Sequence, residues 1–189
     1  MFSERILCAG FGGQGVMVLG KLIACAAMLG GREVTWMPSY GPEMRGGTAY
    51  CSVVLADHPV GSPIVTTNAT SLIVMNLPSL ERFEQSVLPG GLVLVNSSLI
   101  DREVRRDDVL VQTLEANKIA AECGAPKAAN MVMLGAYMAI REVIDQNHLK
   151  MAFRQIFGTM AMTSFELNMK AVRRGFESVD TVVVTRKAA

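Results

Sequence analysis

The sequence predicts a three-layer α/β fold, an open and mostly parallel sheet with a helical segment at its C-terminal end. Three observations lead there. Short apolar runs alternate with longer helical ones from Arg5 to Thr113. Two glycine-rich loops, Gly10-Phe11-Gly12-Gly13-Gln14-Gly15 and Pro38-Ser39-Tyr40-Gly41-Pro42-Glu43-Met44-Arg45-Gly46-Gly47, each follow a short run, where a strand should end. From Glu115 onward the short runs stop and helical segments take over.

Each element has a local reason. Arg5 to Ala9 is an apolar run before glycine and reads as a buried strand. Gly13 to Leu29 reads as a helix, apolar or small around most of its circumference, and Gly30-Gly31 stops it. Glu33 to Met37 is a second strand, ended by Pro38, which cannot donate to a ladder. Thr48 to Ala56, rich in Val, Tyr and Cys, is the third. Asp57-His58-Pro59 reads as a turn and Gly61-Ser62-Pro63-Ile64 as a short extended piece. Ser71 to Asn76 is the fourth long strand, Ser79 to Gln85 a short helix, Pro89-Gly90-Gly91 a turn, and Leu92 to Asn96 the next strand. The mixed charges of Asp101 to Asp108 read as a solvated loop before a last strand, Val109 to Thr113. Helices follow over Glu115 to Glu122, Asn130 to Ile144, His148 to Phe157 and Ser164 to Gly175. In the second of these, Gly135, Ala136 and Ala139 permit close approach, and Asn130 reads as its cap. The last eight or so residues read as frayed. The whole, 1–189, reads as a single domain with a core over about 4–175 and a helical part over about 115–177.

Composition narrows the function. The 18 basic and 17 acidic residues leave a net charge of +1, which argues against a general nucleic-acid binder. Half of the 189 residues are hydrophobic, only 19% are charged, and the mean hydropathy is +0.32. Such an apolar surplus predicts a protein partner; the 13 methionines read first as core filler. No membrane span is expected: the longest apolar segment, Val16 to Leu29, contains Lys21 and falls short of the roughly 20 residues a span needs. The first five residues do not open a signal peptide. Cys8, Cys25, Cys51 and Cys123 are scattered with no CxxC spacing, so neither a cluster nor a zinc site is indicated. Free thiols in a reducing cytoplasm are the expected state.

Gly10, Gly12 and Gly15 satisfy G-x-G-x-x-G between a strand and a helix, which makes the fold Rossmann-like. Glycines allow the tight turn, and helix N-terminal amides attract an anion. A dinucleotide site also needs an acid at the end of the second strand; that strand ends Trp36-Met37-Pro38, and Glu33 lies at its beginning. NAD or FAD, another phosphate-bearing ligand, and a turn that serves packing alone all stay open. No Gly-Lys-Ser/Thr follows, so the loop is not a P-loop. In the second loop Arg45 suits a carboxylate or phosphate fork, or pairs internally with Glu43. His58 and His148 are the only histidines and form no triad with Ser39, so no catalytic residue is assigned.

These two loops, with Gly61-Ser62-Pro63-Ile64 and Asn130-Met131-Val132-Met133-Leu134-Gly135-Ala136, resemble the gamma subunit of 2-oxoacid:ferredoxin oxidoreductases over residues 4 to 175. The second loop is most similar to the 2-oxoglutarate branch. The resemblance implies a complex that oxidatively decarboxylates a 2-oxoacid, passes electrons to ferredoxin and makes an acyl-coenzyme A. It implies companion alpha and beta subunits, and in some assemblies a ferredoxin-like delta subunit. Thiamine diphosphate, magnesium and iron–sulfur clusters are expected in those companions, and coenzyme A as a substrate of the complex. This chain is then cytoplasmic, binds no cofactor alone and is catalytically silent alone. Gly12, Gly13, Gln14 and Gly15 with Tyr40, Glu43, Met44, Arg45 and Gly46 become candidates for the coenzyme A side or for the subunit interface. The alternatives are a gamma-type chain of a pyruvate, ketoisovalerate or indolepyruvate oxidoreductase, and a free-standing nucleotide-binding enzyme.

Overall fold

A computed structural model describes residues 1–39, 48–158 and 162–179 of the chain. Tyr40, Glu43, Met44, Arg45 and Gly46, and the final residues read as frayed, lie outside the described residues. The strands are β1 (Ser3–Phe11), β2 (Glu33–Ser39), β3 (Thr48–Ala56), β4 (Ala69–Val74), β5 (Val87–Asn96) and β6 (Leu110–Leu114). The helices are α1 (Val16–Leu29), α2 (Leu77–Phe83), α3 (Ala116–Glu122), α4 (Ala129–Arg141), α5 (Gln146–Phe157) and α6 (Met162–Glu177). One six-stranded sheet has the order β2-β3-β1-β4-β5-β6. β1, β4, β5 and β6 are mutually parallel. β3 is antiparallel to both β1 and β2, so it alone runs against the others. The expected α/β fold with a mostly parallel sheet and a helical C-terminal segment is borne out.

Side chains alternate across the sheet with the period of two that strands impose. Ile6, Cys8, Ile73, Leu92 and Leu94 face the larger core beneath α1, α4 and α5. Leu7, Ala9, Leu72, Val74, Val93 and Val95 face a smaller one closed by Leu80 and Phe83 of α2 and by Ile100. Both faces are covered, which is why the central strands read as unbroken apolar runs. α4 and α6 touch backbone to backbone. A Cβ added at Gly135 would lie 1.8 Å from Val172 O, and one at Gly175 1.9 Å from Val132 O. The expected close approach at Gly135 is real, and Gly175 is its counterpart.

Several boundaries differ from expectation for definable reasons. α1 begins at Val16, not Gly13, because Gly13 (φ 95°) and Gly15 (φ 74°) are left-handed and cannot be helical. β2 continues through Pro38, which pairs opposite Cys51; proline is tolerated there because β2 is an edge strand. Pro89-Gly90-Gly91 lies within β5, and Gly90 N donates to Asp108 O (2.6 Å). Gly61 to Ile64 forms no strand. The expected short helix at Ser79 starts earlier, capped by Asn76. Asp101, Glu103, Arg105, Asp107 and Asp108 are exposed, as a solvated loop requires, but Arg102 and Arg106 turn inward. The Arg102 guanidinium donates to buried Glu84 Oε2 (3.3 Å), and Arg106 donates to Glu84 O (3.2 Å), Val87 O (2.6 Å) and Asp108.

Candidate functional site

β1 and β2 run the same way, so the first glycine loop and the start of the second leave the sheet at one rim, the carboxyl edge of the parallel strands. Ligands of open α/β sheets bind at this edge. Gly12 and Gly13 are exposed there, while Gln14 and Gly15 are half-buried.

Gln14 is an internal tie. Its Oε1 accepts from Phe11 N (2.6 Å) and from Asn76 Nδ2 (3.3 Å), and its Nε2 donates to Met75 O (3.2 Å). The side chain therefore staples the end of β1 to the end of β4 and fixes the turn that Gln14 N makes with Phe11 O (3.1 Å). Asn76, itself buried, caps α2 by accepting from Ser79 N (2.9 Å). Gly15 opens α1, and its carbonyl accepts from Leu19 N (2.9 Å) and from Asn130 Nδ2 (3.1 Å). Asn130 is thus not the cap of α4 that its position suggested. It lies inside the first turn, behind Ala128, with its amide turned across to the glycine loop. A side chain at position 15 would have to displace Asn130, because a Cβ would meet Asn130 Nδ2 at 2.3 Å.

Asn96, at the end of β5, continues the row. It donates to Asn117 Oδ1 (2.8 Å) and accepts from Ala116 N (3.2 Å) and Ser98 N (3.3 Å). Asn76, Asn96 and Asn130 are the rim residues that sequence reasoning missed or misread. The signal was present for the first two, as an Asn directly after an apolar run and before Ser or Pro favours local backbone capping. The side chains of Gln14, Asn76, Asn96 and Asn130 all bond within the chain, and at Gly12 and Gly13 the first loop offers backbone outward. The amino end of α1 has no side-chain cap and no acid in its first turn, so its free amides and dipole favour an anion.

Chemistry elsewhere is quiet. Among the described residues no group of three or more His, Cys, Asp or Glu is placed to hold a metal. Cys8 and Cys51 face each other across β1 and β3. Their shared thiol hydrogen bond, with burial, pushes the Cys8 thiol up, while the same bond, helped by Trp36 and the Gly20 backbone, holds the Cys51 thiol down against burial. Burial pushes Cys25 up, against the opposing charge of Lys21. His58 is held by Asp57 (2.8 Å) in an exposed turn. Two cavities lie away from the rim. One of about 390 Å³ lies between α1, β2 and α5 around Cys25 and Trp36; one of about 350 Å³ lies under the 57–68 loop.

Residues 5–178 match the model of the pyruvate ferredoxin/flavodoxin oxidoreductase family. The chain belongs to this family. Its relatives include the ketoisovalerate oxidoreductase subunit VorA of Methanothermobacter marburgensis, 38% identical over 172 residues that cover 90% of this chain and 35% of VorA. The chain thus spans about a third of that relative's length. The 2-oxoglutarate synthase subunit KorC of Methanocaldococcus jannaschii is 29% identical over 92% of both chains. The keto/oxoacid ferredoxin oxidoreductase gamma subunit of Geobacter sulfurreducens superposes with a TM-score of 0.78 at 27% identity, over 92% of this chain and 96% of that one. The expectation of a gamma-type oxidoreductase chain is borne out. Among its described residues no helix of this family member is long and apolar enough to cross a membrane.

Proposed function

We propose that this chain is the non-catalytic gamma subunit of a cytoplasmic 2-oxoglutarate:ferredoxin oxidoreductase. Companion alpha and beta subunits, with a ferredoxin-like delta subunit where present, hold thiamine diphosphate, magnesium and the iron–sulfur clusters. Ferredoxin takes the electrons, and the complex uses coenzyme A to make the acyl-coenzyme A. The glycine rim turns toward the companions on the coenzyme A side. Gly12, Gly13, Gln14 and Gly15 supply a rigid backbone edge, and Tyr40, Glu43, Met44, Arg45 and Gly46 of the second loop serve the same contact. The single observation that supports this reading is the internal wiring of the first loop: among the described residues Gln14, Asn76 and Asn130 all bond inward, which leaves the loop's backbone and helix amides facing out. Four scattered cysteines, three of them buried, support placing the clusters in other chains.

The match to KorC along nearly its whole length supports the 2-oxoglutarate reading. The higher identity to VorA favours a second reading, a ketoisovalerate oxidoreductase. Reconstitution with the companion subunits separates them: kcat/KM for 2-oxoglutarate should exceed that for 3-methyl-2-oxobutanoate, and the reverse order selects the second reading. In the same complex Arg45→Ala should raise KM for coenzyme A. If that KM and the turnover both stay unchanged, the rim contacts subunits only. Turnover by the purified chain alone would refute the whole proposal.

A further inference from the structure

The cavity of about 390 Å³ between α1, β2 and α5 falls in the size range of small-molecule sites. Lys21, Ala24, Cys25 and Met28 reach it from α1, at the i, i+3, i+4 and i+7 positions that share one helix face. Val34 and Trp36, two apart on β2 and so on one face of the sheet, form its floor. Gln155 and Ile156 of α5 close the far side. Ala24 is buried, and Cys25, Val34, Trp36 and Ile156 are half-buried against the larger core. Met28, 51% exposed, brings a flexible thioether to the opening. All three elements thus give the cavity apolar walls. Its two strongly polar side chains, Lys21 and Gln155, are both exposed, so they stand at the mouth within reach of a ligand.

At this mouth both polar groups offer donors. The Cys25 thiol donates to Gln155 Oε1 (3.7 Å), which leaves the Nε2 amide to face a ligand. Among the described residues no carboxylate pairs with Lys21. A compact inorganic anion would meet these donors but leave the apolar walls bare. A cationic amphiphile would fill the walls but set like charge against Lys21. We propose that this cavity binds a medium-chain aliphatic carboxylate. Its carboxylate accepts from Lys21 Nζ and Gln155 Nε2, and its chain lies along Trp36, Val34, Ile156 and Met28. The chain supplies most of the affinity, about fourfold for each buried methylene. The exposed charge supplies the sign preference and the orientation. The site lies away from the glycine rim, and its test needs no companion subunit.

Titration of the full purified chain with octanoate tests it. Trp36 is the one tryptophan and lines the cavity, so its emission reports this site directly. Octanoate should shift that emission to shorter wavelength at about millimolar concentration, and calorimetry should give the same midpoint. Butanoate, four methylenes shorter, should bind about a hundredfold or more weakly. Octylammonium, the same chain with the opposite charge, should bind about threefold or more weakly. Lys21→Glu and Gln155→Glu change exposed positions and leave the core intact. Each should weaken octanoate by about threefold or more, and Lys21→Glu should make octylammonium the tighter of the two. Trp36 emission unmoved by octanoate, octylammonium binding as tightly as octanoate to the unaltered chain, or an order of affinities that Lys21→Glu leaves as it was overturns the assignment.

Discussion

Gly15 and Asn130 are 115 residues apart yet share one hydrogen bond, which makes their coupling measurable. In Gly15→Ala the new Cβ meets Asn130 Nδ2 at 2.3 Å on a backbone with φ 74°. The left-handed conformation costs alanine about 1–2 kcal/mol. The displaced amide loses its bond to Gly15 O, worth about 1 kcal/mol. Together these predict a loss of about 2–3 kcal/mol, or roughly 4–12 °C in Tm for a chain of this size. Asn130→Ala removes the same bond without the strain and should cost about 1–2 kcal/mol. If the sites were independent, the double variant would lose about 3–5 kcal/mol. Because one bond is lost in both single variants, and the alanine at 130 removes the clash, the double variant should lose only about 2–3 kcal/mol, a coupling of about 1–2 kcal/mol. Urea unfolding followed by the fluorescence of Trp36, the one tryptophan, measures all three. Losses that add to within about 0.5 kcal/mol would refute the shared contact as the element that holds the loop.

Two further outcomes follow from the charges. Buried Glu4 accepts from Ser71 Oγ (2.5 Å) and Tyr137 OH (3.3 Å) and lies 3.5 Å from Arg141 Nε. Glu4→Gln should destabilise by about 3–5 kcal/mol in urea unfolding because Arg141 loses its counter-charge, whereas Arg173→Ala, which breaks an exposed helical pair with Glu177, should leave the midpoint unchanged. At the surface, His58 first and then the Phe2 N–H hold the Asp57 carboxyl at about 2 against an ordinary 3.8. A depressed carboxyl stabilises the fold above its unfolded pKa and loses that contribution as pH falls through the folded one. The contribution should therefore vanish between about 3.8 and about 2, and a carboxyl NMR titration of His58→Gln should move Asp57 back toward 3.8.

How far the chain could be read varies with the kind of interaction that decides each segment. β3 matches its expected limits, because Thr48 to Ala56 is bounded by turn residues on one side and carries strand-favouring Thr48, Tyr50, Val53 and Val54. The start of α1 was placed too early, since glycine propensity does not reveal that Gly13 and Gly15 adopt positive φ. Pro38 read as a stop, because nothing local reveals that β2 sits at a sheet edge. The loop of Asp101 to Asp108 is solvated at most of its charges, but the inward turn of Arg102 and Arg106 was hidden, because their partner Glu84 is brought in by the packing at the end of α2. Asn130 read as a cap from its neighbours, while its true contact lies on the neighbouring helix on the same face of the sheet, at Gly15. Local preferences were legible; pairings over long separations in the chain were not.

The wiring of the rim differs from that of a dinucleotide site. In a dinucleotide fold the loop wraps a pyrophosphate and a carboxylate on the second strand holds the ribose. Here Glu33 is at the amino end of β2, a full strand away from the rim. Gln14, inside the fingerprint, reaches back to Met75 and Asn76 and ties the loop down onto β4. A loop anchored from beneath by Gln14 and from the side by Asn130 is already rigid without a ligand. That is the condition under which a surface can be complementary to another subunit with little ordering cost on association. The same rigidity suits the positioning of a phosphate brought by a companion chain, since helix amides fixed in advance need no reorganisation to receive an anion. Loosening the loop through Gly15→Ala should therefore weaken assembly of the complex before it alters any chemical step, a sequence of losses opposite to that expected of a loop that binds its own nucleotide.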